Sequence, residues 1–150
     1  MKYIAHRGNL NGPNQLLENK PDYLNAALNL GYDVEVDVWF IDGKFFLGHD
    51  RPDYEIDIQY LLNPKIWAHA KNIAALHEML KYRSINCFWH QEDDYTLTSK
   101  GIIWSYPGKE TTGKSVCVMP ENFNFDCSFT SEWICTDFVH WFEEKQKDGR

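Results

Sequence analysis

The apolar positions along the chain fall into short alternating runs and a few helical stripes. The first run, residues 2–6 with Tyr3, Ile4 and Ala5, gives way after His6 to a polar loop at 7–14 rich in Gly, Asn and Pro. This predicts a strand whose chemistry sits at its C-terminal end. A helix follows: Asn19 is placed to cap it, Pro21 suits its first turn, Leu24, Ala27 and Leu28 share a face, and Gly31 suits the stop. Residues 33–40 alternate, with Val34, Val36 and Val38 on one side and Glu35, Asp37 and Trp39 on the other. Asp42-Gly43 is the two-residue signature of a hairpin, leading into a strand at 44–49.

Farther on, the pattern predicts a short helix around 58–62 and a strand at 65–71. A helix capped by Asn72 then carries Ile73, Leu76 and Leu80 as its apolar stripe. Strands are expected at 85–90, 101–106, 115–119 and 133–136, with a closing helix from Val139. The connections between these later strands are too short, or too poor in periodic apolar residues, to hold full helices. Strands alternating with helices predict an α/β fold with a parallel sheet, and polar residues gathered at strand ends point to a β/α barrel. A complete eight-unit barrel takes about 250 residues. The 150 residues present therefore predict a single domain, 1–150, built as a reduced or irregular (β/α) TIM-type barrel with several outer helices missing. Strands without covering helices leave apolar surface for a second copy to cover, so a homodimer or higher oligomer is expected.

Composition narrows the partners. Apolar residues make up 43% of the chain, but no run is long enough to cross a bilayer and no charged-then-apolar leader follows Met1. A cytoplasmic protein without stable membrane insertion is expected. The net charge of −7 weighs against nucleic-acid binding, which rests on many Lys and Arg contacts to phosphates. It leaves room for a small anionic substrate held by a local cationic cluster. Cys87, Cys117, Cys127 and Cys135 show no CxxC pairing and read as buried thiols rather than a zinc site or a disulfide framework.

Four polar signatures in the first third carry the candidate chemistry: His6-Arg7-Gly8, Glu18-Asn19, Glu35-x-Asp37 and Gly48-His49-Asp50. Glu35 and Asp37, two apart on a strand, leave the same face and can converge on a divalent cation, Mg²⁺ foremost, with Mn²⁺ or Ca²⁺ also suited. The plainer reading is an exposed strand face, but unpaired charge on the inner side of a barrel strand is costly and a metal relieves that cost. His6 ends the first strand and His49 the hairpin after the second, so both can face the rim where Glu35 and Asp37 point and act as general base and general acid on opposite oxygens of a phosphate. Arg7 offers a planar fork for phosphate oxygens. His69 and Lys71 repeat the two-residue spacing, His69 as a possible third metal ligand and Lys71 as a phosphate-charge stabiliser. The bland alternative for them is a satisfied core histidine and a polar strand end. Trp67, Trp89, Trp104 and Tyr106 lie in or at the ends of strands, as core and rim packing or as a stacking wall for a sugar or alcohol group. Trp104 is the candidate substrate contact among them.

The order of the four signatures resembles the glycerophosphodiester phosphodiesterase family of the phospholipase-C-like barrel superfamily. The likeness is dense over residues 3–50 and looser afterwards. Ile134-Cys135-Thr136-Asp137-Phe138 is similar to the family's final-strand Thr-Asp segment, and Ile103-Trp104-Ser105 to an earlier Trp-bearing strand. The resemblance implies a site at the C-terminal strand ends, a divalent metal on Glu35 and Asp37, and acid/base roles for His6 and His49. It also implies Arg7 on the phosphate, with Glu18 and Asn19 bordering the site in support. Where the family carries Glu-x-Lys on the third strand, this chain has His69-Ala70-Lys71. Either His69 ligates through nitrogen, which shifts preference away from Ca²⁺, or an acid such as Glu92 or Glu121 substitutes. The function expected is metal-dependent cleavage of a small soluble phosphodiester, glycerophosphodiester-like or sugar-bearing. The attacking oxygen is either water or a hydroxyl of the substrate. The alternative is a catalytically silent barrel that binds a phosphorylated metabolite or sugar.

Overall fold

The alternating valines build the longest strand, β2 (Asp33–Ile41), at the centre of a ten-stranded sheet. The computed structural model describes residues 1–123 and 130–149; Cys127 lies outside them. On one side of β2, β1 (Lys2–His6) pairs in parallel and is followed by β10 (Trp133–Thr136), β9 (Ser115–Val118) and β8 (Ile103–Ser105), all parallel. On the other side, β5 (Ile66–Ala70) and β6 (Asn86–Phe88) continue the parallel run. Three short strands are antiparallel: β3 (Lys44–Leu47) on the end of β2, β4 (Tyr54–Ile56) on β3, and β7 (Tyr95–Leu97) on β8. Asp42 and Gly43 turn the β2–β3 hairpin with φ of 49° and 78°, the left-handed pair that a tight two-residue turn demands.

The α/β organisation with a mostly parallel sheet is as expected, but the sheet is not closed. No ladder joins β6 to β8 among the described residues. The chain between them folds back as β7, because so short a connection cannot hold a covering helix and another parallel strand. The two ends of the parallel run nevertheless meet through side chains. Ile4, Trp67, Phe88, Trp104, Val116, Val118 and Cys135 form one apolar cluster on the inner face, and the rings of Phe88 and Trp104 lie 4.4 Å apart. The opposite face, including Ala5, Val34, Val36, Val38 and Ala68, packs against Leu24 and Ala27 of α1 (Pro21–Asn29), Ala75 and Met79 of α3 (Ile73–Leu80), and Val139 and Phe142 of α4 (Val139–Asp148). α2 (Ile58–Leu61) adds Leu61. No helix among the described residues is long and apolar enough to cross a membrane.

Two local expectations are corrected. Asn19 does not cap α1; Lys20 occupies that position without a side-chain cap, because Asn19 is drawn to Asp37. In α3, Ile73 and Leu80 of the expected stripe face outward, 73% and 56% exposed, while Leu76 packs partly against the core beside the buried Ala75 and Met79. Asn72 sets this rotation: it accepts from Ala75 N while its amide exchanges two hydrogen bonds with the backbone of Phe40 on β2.

Candidate active site

Sheet register gathers the site. β1, β2 and β5 are adjacent and parallel, with His6 opposite Glu35 and Asp37 opposite His69. Their C-terminal ends therefore deliver imidazole, carboxylate, carboxylate and imidazole side by side on the inner face. Glu35 is 2% and Asp37 0% exposed. Two buried carboxylates are tolerated only beside cations, and the cations are there. Arg7 Nε lies 3.1 Å from Asp37 Oδ2, Lys71 Nζ 3.6 Å from Asp37 Oδ1, and His69 Nδ1 3.4 Å from Asp37 Oδ1 and 3.7 Å from Glu35 Oε1. Burial works against the charge on Asp37, but His69, Arg7 and Lys71 outweigh it and hold the carboxyl well below the usual range.

Glu35, Asp37 and His69 each offer a ligand atom within 4.8 Å of the others. Glu35 Oε2 and Asp37 Oδ1 are buried without a well-formed hydrogen bond, a rare condition for a carboxylate. The third ligand is already aimed: His69 Nε2 donates to the His90 carbonyl at 2.8 Å, and the ring stacks on Phe88 at 5.2 Å and 6°. A carbonyl can only accept, so Nε2 carries a proton and Nδ1 faces the two carboxylates. Ligating imidazoles are held in this way. Two carboxylates and one imidazole make a mixed oxygen and nitrogen set that could hold a divalent metal ion. Burial opposes charge on His69, but its contacts with Asp37 and Glu35 prevail and push the imidazole up to about 9.

His6 is armed by a residue that sequence reading placed only in the final-strand segment. Asp137 Oδ1 accepts from His6 Nδ1 at 2.8 Å, leaving Nε2 directed inward, 3.8 Å from Glu35 Oε2. Burial lowers the His6 pKa, but the bond to Asp137 and the charge of Glu35 more than reverse it, so the imidazole titrates above its ordinary value. The signal lay in topology: β10 pairs with β1, and Thr136 registers with Ala5, so Asp137 must emerge beside His6.

Glu18 and Asn19 support the site. Glu18 Oε2 accepts from Arg7 Nη1 at 3.2 Å. Asn19 Nδ2 donates to Asp37 Oδ2 and its Oδ1 accepts from Asp37 N, each at 2.9 Å, with Asn19 at φ 63°. Asn19→Ala loses both bonds and must hold a left-handed backbone without asparagine's tolerance for it. Its expected destabilisation is about 2–4 kcal/mol, read as a lower urea midpoint at unchanged slope.

His49 is placed differently from His6. Its ring is exposed and its Nδ1 meets Asp50 Oδ1 at 2.8 Å. It lines a cavity of about 680 Å³ together with Arg7, Glu18, Asn19 and Gly48, a lining that does not include His6, Glu35, Asp37 or His69. Gly48 pins this loop: its N–H donates to Asp37 O at 3.1 Å, and a Cβ there would meet Arg51 O at 2.0 Å. Trp104 is 3% exposed and packs between Phe88 and Trp67; it supports the floor and has no free face for a substrate. Glu121 accepts from Thr136 Oγ1 and Asp137 N and so secures the end of β10 instead of joining the carboxylate pair. Glu92 is exposed and lies outside the cluster. No protein-family model matches this chain, and no curated protein or solved structure matches it.

Proposed function

We propose that the chain is a metal-dependent phosphodiesterase acting on a small phosphodiester, of glycerophosphodiester or sugar type, on a reduced and incompletely closed β/α barrel. One observation carries this reading: His6, Arg7, Glu35, Asp37, His69 and Lys71 meet at the C-terminal ends of three adjacent parallel strands, with two buried carboxylate oxygens that make no well-formed hydrogen bond. The mouth formed by strand C-terminal ends is where barrel enzymes place their chemistry.

Glu35, Asp37 and His69 would hold the divalent ion. When bound, it would supply Lewis-acid polarisation of a phosphate oxygen. Arg7, braced by Glu18 and Asp37, offers its remaining guanidinium donors to the non-bridging oxygens, and Lys71 adds a second positive charge on the same side. His6 moves the proton at Nε2 while Asp137 stabilises the imidazolium through Nδ1. His49, which lines a cavity together with Arg7, Glu18 and Asn19, serves the other bridging oxygen. The attacking oxygen is either water or a neighbouring hydroxyl of the substrate, and both leave the two histidine roles unchanged.

The test is turnover of a panel of glycerol-, sugar- and nucleotide-type phosphodiesters with Mg²⁺, Mn²⁺ or Ca²⁺. Release of alcohol from at least one diester, abolished by chelator, is the expected result. No release from any diester would leave a barrel that only binds a phosphorylated metabolite.

A further inference from the structure

Asn9 follows the His-Arg-Gly turn and is wholly buried, with every polar atom of its side chain engaged. Nδ2 donates to Glu18 Oε1 at 2.9 Å and to Asp137 Oδ1 at 2.8 Å. Oδ1 accepts from Asn14 N and from Tyr23 Oη, both at 3.2 Å. The orientation of the amide is dictated by its partners, since carboxylates only accept and a backbone N–H only donates.

The two carboxylates on that one nitrogen have separate duties. Glu18 carries Arg7 through Oε2, and Asp137 carries His6 through Oδ1. Resting on the phosphodiesterase reading, we infer that Asn9 is a positioning residue that locks the phosphate-binding arm and the acid/base imidazole into one fixed geometry. Among side chains of this size, only an amide offers two donations to carboxylates and two acceptances at once. An aspartate would set a third negative charge between Glu18 and Asp137, and an apolar residue would leave both carboxylates short of a donor. Holding reacting groups at fixed mutual distance is a large part of catalysis, so loosening two of them together affects binding and turnover alike.

The experiment compares wild type, Asn9→Leu and Tyr23→Phe in two readouts: ¹⁵N relaxation of the Arg7 Nε–H, and kcat and KM on whichever diester the panel identifies. Asn9→Leu is expected to drop the Arg7 order parameter below about 0.6. It should also raise KM and lower kcat together, for a combined loss of about 10²-fold in kcat/KM. Tyr23→Phe, which spares both donations from Nδ2, should stay within about twofold in each. If Asn9→Leu does not fold, Asn9→Asp takes its place, keeping the shape and the acceptor contacts while replacing both donations by a third negative charge beside Glu18 and Asp137; the same loss is expected. A folded variant with a rigid Arg7 and near-wild-type constants would overturn the inference. A wild type without turnover would instead overturn the phosphodiesterase reading, and the Arg7 relaxation would still decide the role of Asn9.

Discussion

Replacing His6 by alanine should lower kcat by about 10³-fold, the middle of the range for a positioned acid/base group, with little change in metal uptake. His6 is not one of the three ligand candidates, yet its Nε2 lies against Glu35 at 3.8 Å, so the loss falls on proton transfer. Asp137→Asn should cost less, about 10- to 10²-fold, because the ring keeps its place and loses only the charge that stabilises its protonated form. The two variants separate in pH dependence. Burial depresses the His6 pKa, and Asp137 together with Glu35 raises it above the ordinary value, so the limb of the wild-type profile that reports His6 is held upward by Asp137. Asp137→Asn should move that limb to lower pH. Steady-state kinetics from pH 5 to 9 read both effects; an unchanged kcat in His6→Ala would remove the histidine from the chemistry.

Asp37→Ala should be the most damaging change to stability. Asp37 faces Arg7, Lys71 and His69 and is anchored twice by Asn19. Its removal takes away the carboxylate that three part-buried cationic groups share, leaving Arg7 to Glu18 and His69 to Glu35, at an expected cost of about 3–5 kcal/mol, or a fall in Tm of about 10 °C for a chain of this size. The same interactions make stability depend on pH. The imidazole of His69 is raised to about 9 from an ordinary 6.5 in the metal-free protein. Its contribution is complete below about pH 6.5 and is lost as pH rises towards 9. Asp37, held below its usual value, contributes above the unfolded pKa and loses that contribution only on strong acidification. With chelator present, urea unfolding should show wild type weaker at pH 9 than at pH 6.5, and Asp37→Ala with a smaller difference because Glu35 still raises the His69 imidazole. A wild type equally stable at both pH values would count against the His69 contact.

The parts of this molecule written in short-range pattern were legible. The alternation of Val34, Val36 and Val38 required Glu35 and Asp37 to share the other face, and the same spacing put His69 and Lys71 in reach of them; the register delivers all four to one end of the sheet. What the pattern missed depends on long-range order. The His6–Asp137 pair spans 131 residues and follows only from β10 lying beside β1. Asn19 looked locally ideal as a helix cap, but a buried carboxylate competes for its amide more strongly than a solvated helix end does. β7 was hidden because its apolar content is only Tyr95 and Leu97, behind the acidic stretch at 92–94. Trp104 could equally have been a wall or a floor, and only its packing against Phe88 decides that it is floor. Closure of the sheet turns on ladder register between β6 and β8, which hydrophobic periodicity does not encode.

The central claim is that Glu35, Asp37 and His69 form one divalent-metal site. Calorimetric titration of the chelator-treated protein with Mn²⁺ at pH 7, repeated in buffers of different ionisation enthalpy, tests it most directly. One ion per chain should bind with release of about one proton, since His69 must give up the proton on Nδ1 to ligate. Glu35→Gln should abolish uptake, and His69→Ala should weaken it and remove the proton release. A chain that takes up no ion, or binds one without proton release and indifferently to both substitutions, would contradict the account.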